Sequence, residues 1–269
     1  MPKVIFSLGH FVLTITAIVA LGFSPFVSPL ADPDNIRVGA WNIETLGTPK
    51  NRDYRRKRES HGFGVPRSAP ELAAEIRKLD LDVLVVLEID NTADQGARGN
   101  EVLDNTLRIL NRSAEHDWTY VLFPKYGYYE RAQLTGAAWN RARISHTGPW
   151  YRIELGERTS HYWEWDRHPH AIAFSRGTGR TDFVVIPIHM KAGRSKKAVD
   201  QRRVEAHALV ARLGNVRRHF NDDDIILIGD LNMVHANEAA ANVYRDAGLI
   251  DLNVNDTPTH AAGLALDRA

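Results

Sequence analysis

Side chains able to bind a metal ion or to move a proton follow four apolar runs of this sequence. Asn42, Glu88 and His189 each end one run, and Asp230 and Asn232 follow the fourth. Carboxylate and amide oxygens, in a chain without cysteine thiolates, suit a hard cation such as Mg²⁺, Mn²⁺ or Ca²⁺. A divalent cation withdraws charge from phosphate oxygens, and a histidine transfers a proton. If the four strand ends meet at one edge, the pattern predicts transfer of a phosphoryl group to water.

Residues 224–232 show the pattern most clearly. Four Ile and Leu residues predict a strand buried on both faces, and a Gly-Asp-Leu-Asn sequence follows them. Because successive strand residues alternate, Asp230 and Asn232 are expected on the same side of the chain. The same residues also fit an ordinary turn, with Asn232 capping a helix over residues 238–247. The companion strand ends favour a site over this simple turn.

Periodicity predicts the elements that must position these residues. Helical spacing predicts helices near residues 68–79, 102–110, 201–213 and 238–247, while Pro187 is expected to make the end of its strand irregular. The connection over residues 150–165 has no clear period. Because no linker follows Ala31, we expect one domain over residues 32–269. Strands are predicted over residues 36–42, 82–88, 120–123, 134–140, 171–174, 182–189 and 224–228.

Composition limits the kinds of partner. The chain has 269 residues, 43% of them apolar, which suffices for a sizeable core. Lys plus Arg (34) nearly balances Asp plus Glu (33), so a phosphate-bearing partner must be met by a local basic patch. The absence of cysteine excludes disulfides, thiolate metal sites and thiol nucleophiles. One candidate patch is a loop that is either simply solvated or in contact with a polyanion, and it contains Lys50, Arg52, Arg55, Arg56, Lys57 and Arg58.

The N-terminal segment is typical of a secretory signal. Lys3 precedes a mostly apolar run over residues 4–23, and small residues lead to Ala31. This order predicts a signal peptide over residues 1–31 and a secreted or periplasmic protein. An uncleaved membrane anchor is the alternative, because the run approaches the roughly 20 residues that span a bilayer.

Several of these motifs resemble the endonuclease/exonuclease/phosphatase superfamily, and in detail its DNase I-like members. They are the Trp-Asn pair ending at Asn42, the Leu-Glu strand end at Glu88, the Ile-His-Met-Lys sequence around His189, and above all the Gly-Asp-Leu-Asn sequence at residues 229–232. The resemblance implies an α/β (α+β) fold, a four-layer α/β/β/α sandwich. It implies that Glu88 is the principal metal ligand and that Asn42 helps to bind metal or phosphate. Asp230 and Asn232 would hold the attacked phosphate and its water, and His189 would transfer the proton.

Weaker local matches imply further site residues. The Tyr-Tyr-Glu-Arg sequence from Tyr128 is similar to the DNase I segment in which a Tyr and a Glu flank the histidine, so Glu130 would orient His189. Arg167 resembles the phosphate-binding arginine of the family. Asp267 resembles the Asp of its penultimate strand and would be a further metal or phosphate residue.

The sequence departs from the family pattern at its C-terminal end. A Ser-Asp-His element, which ordinarily lies on the last core strand and supplies a second histidine, does not occur in the chain. The domain is therefore expected to be C-terminally incomplete, with its last core strand missing. The sequence is then either a piece of a longer protein, which we expect, or a degenerate member with weak or no catalysis.

The resemblance implies a monomeric, metal-dependent phosphodiester hydrolase, with nucleic acid as the expected substrate and Mg²⁺ as the expected metal. An endonuclease cleaving DNA or RNA by in-line water attack fits best. The first alternative is a lipid phosphodiesterase or phosphatase of the sphingomyelinase-like or phosphoinositide type, in which the aromatic residues 150–165 would touch a membrane. The second alternative is a non-catalytic binding protein on the same fold.

Overall fold

A computed structural model describes residues 4–7, 10–15, 35–47, 68–94, 96–125, 131–154, 165, 167–178, 182–259 and 266–269, with only the backbone described for the first two ranges. Within these ranges, eleven strands form two sheets. The first sheet has the order β1-β2-β3-β4-β6-β5, with β1 (Val4–Ser7), β2 (His10–Ile15), β3 (Ile36–Leu46), β4 (Val83–Ile89), β5 (Trp118–Leu122) and β6 (Leu134–Asn140). The second sheet has the order β11-β10-β9-β8-β7, with β7 (Ser145–Arg152), β8 (His170–Ser175), β9 (Asp182–His189), β10 (Ile225–Asp230) and β11 (Asp267–Arg268).

Four helices accompany the sheets in the described ranges: α1 (Ala69–Leu79), α2 (Glu101–Leu110), α3 (Lys196–Phe220) and α4 (Ala239–Asp246). Each follows from its local sequence. The Ser68 hydroxyl accepts a hydrogen bond from the Glu71 N–H at the start of α1, and Ser195 does the same for Ala198 at the start of α3. Since α3 ends only at Asn221, which adopts the left-handed conformation, it is longer than the helix predicted over residues 201–213.

Strand β4 shows why the sheets are covered on both faces. Val85 packs between the two sheets with Val185 of β9. The neighbouring Leu84 points the other way, into a cluster that includes Leu72 of α1 and Leu103 of α2. This alternation explains the continuous apolar run in the sequence, because both sides of the strand are buried.

The second sheet is covered in the same way. Ile186 of β9 packs with Leu209 of α3 and Tyr244 of α4 on the face away from the first sheet. Helices therefore lie outside both sheets, and the predicted α/β/β/α sandwich is confirmed. Among the described residues, no helix combines the length and apolar character that crossing a membrane requires. The signal peptide remains a prediction.

Two expectations about the strands were wrong. Strand β9 continues unbroken to His189, with Pro187 paired to Ile228 of β10. Pairing of β9 with β8 ends at Val185. At Pro187, β9 therefore has a partner strand on one side only, and such a position tolerates a residue without an N–H. Strand β3 also extends beyond Asn42 to Leu46, across a register shift against β4.

The connection without a clear period, residues 150–165, begins inside strand β7. Trp150 packs edge-on against Phe123 and His170, with ring centroids 5.9 Å and 5.1 Å apart. Trp165 is only 2% exposed. Trp165 therefore belongs to the interior and Trp150 is half-buried, whereas residues 155–164 and the basic loop over residues 50–58 lie outside the described ranges.

Candidate active site

The two sheets meet at the side chains that the sequence singled out. In the first sheet, the side chains of Asn42 and Glu88 project from the parallel neighbours β3 and β4. In the second sheet, Asp230 is the last residue of β10. The Asn42 amide nitrogen lies 3.2 Å from Glu88 Oε1 and 3.0 Å from Asp230 Oδ2, and donates to both. One amide thus joins a carboxylate from each sheet.

His189 ends β9 directly beside Asp230, because the two strands are parallel and these residues are partners in the register. Its Nε2 lies 3.7 Å from Glu88 Oε1 and 3.9 Å from Asp230 Oδ2. Burial lowers the pKa of His189 well below its ordinary value, and the charges of Arg167 and Lys125 lower it further. Burial thus disfavours the charged imidazole, and one of its nitrogens faces the two carboxylates.

The opposite ring nitrogen of His189, Nδ1, is buried and has no hydrogen-bond partner among the described residues. This is the position at which the sequence predicts an orienting carboxylate from Glu130. Glu130 and Tyr128 both lie outside the described residues, so their roles remain predictions.

Buried acidity is concentrated at the end of β10. Burial raises the pKa of Asp230 to about 6, against the opposing hydrogen bonds from Asn42 and from the Asn232 N–H. Its partner across β10 and β11 is Asp267, where burial and the Asp230 charge raise the pKa to about 8. Two adjacent buried carboxylates resist joint ionisation, and a cation would relieve their repulsion.

The oxygen donors at this edge suit a hard divalent cation by their chemistry. Glu88, Asn42 and Asp267 are the residues predicted to hold it, although here the Asn42 amide nitrogen faces Glu88 and the Asn42 oxygen accepts from the Glu44 N–H at 3.0 Å. Within the part of the chain that the structure describes, no three His, Cys, Asp or Glu side chains are grouped around one metal position. The donor set therefore fits a cation in chemical type, and the ligand assignment stays a prediction.

Asn232 does not follow the strand alternation that the sequence predicted for it and Asp230. The strand ends at Asp230, and Asn232 has a left-handed φ of 53°. Its N–H donates to Asp230 Oδ1 at 2.9 Å, and its side-chain amide donates to the Met190 carbonyl at 3.1 Å. Asn232 therefore fixes the Asp230 carboxylate and ties the end of β10 to the end of β9.

Gly229 makes this arrangement possible. Its φ is 146°, and a Cβ atom at this position would lie 2.2 Å from the Ile188 carbonyl oxygen. Such a distance is far inside van der Waals contact, so only glycine allows β10 to approach β9 immediately before Asp230. The Gly-Asp pair of the sequence motif thus has a steric cause.

Sequence reasoning missed Gln133, which connects two predicted site residues. Its side-chain amide donates to Glu88 Oε2 at 3.3 Å and accepts from Arg167 Nη2 at 3.2 Å. Its N–H donates to the buried Asp90 carboxylate at 3.0 Å, which holds Gln133 at a left-handed φ of 54°. Its place immediately before a predicted strand was the one available signal. Arg167 is thereby held next to the acidic cluster.

Sequence reasoning also missed a buried ion pair beneath the site. Arg202 of α3 donates to Glu238 Oε2 through Nε at 3.1 Å and Nη2 at 2.8 Å. Its Nη1 donates to the carbonyls of Lys191 (2.9 Å) and Gly193 (2.8 Å), while the other Glu238 oxygen accepts from the Val234 N–H at 2.7 Å. The pair therefore fixes both loops that leave the site. A buried Arg inside a helical run carries no sequence signal of this role.

Comparison with known proteins agrees with this geometry. The model of the endonuclease/exonuclease/phosphatase family matches residues 39–269. The chain belongs to this family. The match includes every candidate site residue from Asn42 to Asp267, and members of the family are hydrolytic phosphoesterases that generally use a divalent metal. No protein of curated function matches the sequence.

Solved structures of the family share the fold at low identity. The human Nocturnin catalytic domain with bound sulfate superposes with a TM-score of 0.55 at 18% identity, covering 87% of this chain and 81% of that one. The mannosyl-6-phosphatase Bt3783 of Bacteroides thetaiotaomicron gives 0.56 at 12% identity, over 87% and 84% of the two chains. A family protein from Leptotrichia buccalis gives 0.56 at 14% identity, over 87% and 86%. These likenesses establish the fold and leave the substrate open.

Proposed function

We propose that this member of the family is a divalent-metal-dependent phosphodiesterase that cleaves nucleic acid by in-line attack of water. The observation that carries the proposal is the contact of Asn42 with Glu88 of one sheet and Asp230 of the other, with His189 Nε2 beside both carboxylates. This set pairs acidic groups able to orient water with a neutral imidazole able to exchange a proton.

Each residue has a distinct task in this proposal. A divalent ion at Glu88, when bound, would withdraw charge from the phosphate oxygens. Asp230, held by Asn42 and by the Asn232 N–H, is placed to orient the attacking water. His189 is placed to give a proton to the leaving oxygen: its imidazole takes up a proton from solvent before each turnover, and the proton that the attacking water loses passes to Asp230. Arg167, fixed through Gln133, supplies positive charge for the phosphate.

The choice of substrate and location rests on separate observations. Trp165 is buried and Trp150 is half-buried against Phe123 and His170, so the ends of the aromatic segment pack on the protein itself. A polynucleotide is the phosphodiester that we propose, because the site motifs resemble those of DNase I-like members. The apolar segment after Lys3 supports secretion or export to the periplasm, with a membrane anchor as the alternative.

The test is hydrolysis by the full chain and by two site variants. Plasmid nicking should require Mg²⁺ or Mn²⁺, stop with EDTA, and fall by a factor of at least about 10² in Glu88→Gln and Asp230→Asn. Glu115→Gln changes an exposed carboxylate far along the chain from the site and is the matched control. It should nick plasmid at the wild-type rate.

Parallel assays decide between the proposal and its competitors. Release of a phospholipid head group without plasmid nicking would replace nucleic acid by lipid as the substrate. Release of inorganic phosphate from a sugar phosphate alone would indicate a phosphomonoesterase. Metal-independent nicking, or nicking that survives in both site variants, would refute the assigned residues. Binding of an oligonucleotide without any hydrolysis would indicate a non-catalytic protein.

A further inference from the structure

Four exposed basic side chains follow His189 in the loop after β9 and in the first half of α3. Lys191 and Arg194 are in the loop after β9, Lys197 is in the first turn of α3, and Arg203 lies further along that helix. All four are exposed, and within the described ranges none of these side chains forms an ion pair. These four residues are called the cationic strip.

The cationic strip is a local excess of charge. The whole chain carries a formal net charge of only +1, yet residues 183–199 contain no acidic residue. The neighbouring Lys196 is excluded from the strip because it pairs with Asp200 at 2.7 Å. Since the average surface is nearly neutral, the strip provides the positive field that a polyanion requires.

The backbone beneath the cationic strip is fixed by buried side chains. Arg202 donates to the carbonyls of Lys191 and Gly193, and the buried Glu205 carboxylate accepts from the Lys191 N–H at 2.9 Å. The loop therefore needs little ordering when a partner binds, which favours affinity.

The helix itself gains nothing from these charges. The first turn of α3 has no acidic residue and contains two lysines, whereas the helix dipole favours negative side chains at that end. Among the described residues, Lys196 is offset by its pair with Asp200, whereas Lys197 has no such pair, so its charge does not serve the start of the helix.

Building on the proposed function, we propose that the cationic strip binds the phosphate backbone of a polynucleotide whose scissile phosphodiester lies at Glu88 and Asp230. Lys191 is two residues beyond His189, so the strip begins next to the site along the chain. Residues 191–197 contain no aromatic or large apolar side chain of the kind that inserts into a lipid interface. This composition favours nucleic acid over a membrane surface.

The test is the salt dependence of binding, measured with EDTA present so that no cleavage occurs. Fluorescence anisotropy would give the Kd of the full-length protein for a fluorescein-labelled single-stranded oligonucleotide from about 50 to about 200 mM salt. Each neutralised cation lowers the slope of log Kd against log salt by about 0.7, so replacing all four by Gln should lower it by about 3. The matched control removes the same charge from exposed positions elsewhere, with Gln at Lys78, Arg108, Arg112 and Arg218. It should keep the wild-type slope.

The outcomes separate the strip from the catalytic proposal. Metal-dependent hydrolysis of bis(p-nitrophenyl) phosphate, which is too small to reach the strip, should be the same in the strip variant and the wild type. If the slope is unchanged in the strip variant and the hydrolysis of the small substrate is retained, the role of the cationic strip is refuted and the proposed function is not. A lowered slope in a protein that hydrolyses no phosphodiester would support the strip and refute the proposed function. Binding to phosphatidylserine vesicles, but not to the oligonucleotide, would overturn the choice of partner.

Discussion

His170 gives the sharpest prediction about stability, because it is a histidine buried among aromatic rings. Its ring is stacked on Phe123 with centroids 4.9 Å apart and planes at 4°, and Trp150 meets its edge. The side chain is fully buried. Burial lowers the pKa of His170 from 6.5 to about 3, with a smaller contribution from the charge of Arg152. Replacing it by Phe keeps the stacking and removes the titration.

The sign and size of the effect follow from linkage. Because the folded pKa is lowered, the contribution of neutral His170 is complete above pH 6.5 and is lost as pH falls towards about 3. The loss is about 1.4 kcal/mol per pH unit in that window, or about 2 kcal/mol at pH 5. The free energy of unfolding of wild type should therefore fall relative to His170→Phe by this amount on going from neutral pH to pH 5.

Urea denaturation at a series of pH values measures this difference. The raised pKa values of Asp230 and Asp267 make the fold more stable as pH falls, in the opposite direction to His170. Because both proteins contain these two residues, their effect cancels in the comparison. His207→Phe is the control, since that ring is exposed on α3, and its curve should run parallel to wild type. Parallel curves for wild type and His170→Phe between about pH 5 and 7 would refute the reasoning.

Three further predictions concern the frame of the site. Gly229→Ala should lower the free energy of unfolding, measured in urea, by about 2 kcal/mol or more. Gly177 also has a positive φ but has open space around it, so Gly177→Ala should lower that free energy by less. Equal losses would show that backbone strain alone matters. Arg202→Met should lower the free energy of unfolding by about 3–5 kcal/mol, because it leaves Glu238 buried and unpaired. The double variant with Glu238→Gln should recover part of this loss. Additive losses in the double variant would contradict the prediction. Gln133→Ala should raise the Mg²⁺ concentration for half-maximal hydrolysis by about 10–100-fold, and an unchanged requirement would dismiss its role.

The fold could be predicted well because its signals are local. Apolar runs such as residues 82–88 and 182–189 mark strands buried on both faces, and Ser68 marks the start of α1. Pro187 misled the reading of β9, because its effect depends on which neighbouring strand needs its N–H. That information belongs to the sheet and is absent from the segment.

The site was predictable only in part, for a similar reason. Asn42, Glu88, His189 and Asp230 come together as expected, since β3 is parallel to β4 and β9 to β10, although Asn42 lies within β3 and not at its end. Gln133 acts through contacts with chain segments more than 30 residues away. A residue that acts by linking distant segments has no recognisable pattern in the sequence around it.

The contact of Asn42 with both carboxylates has a consequence for how activity arises during folding. Neither sheet alone holds a complete site, because Glu88 comes from one and Asp230 from the other. A chain in which each sheet has formed but the two have not yet docked would be inert. If the proposed hydrolysis is observed, its recovery during refolding should therefore report the docking of the two sheets.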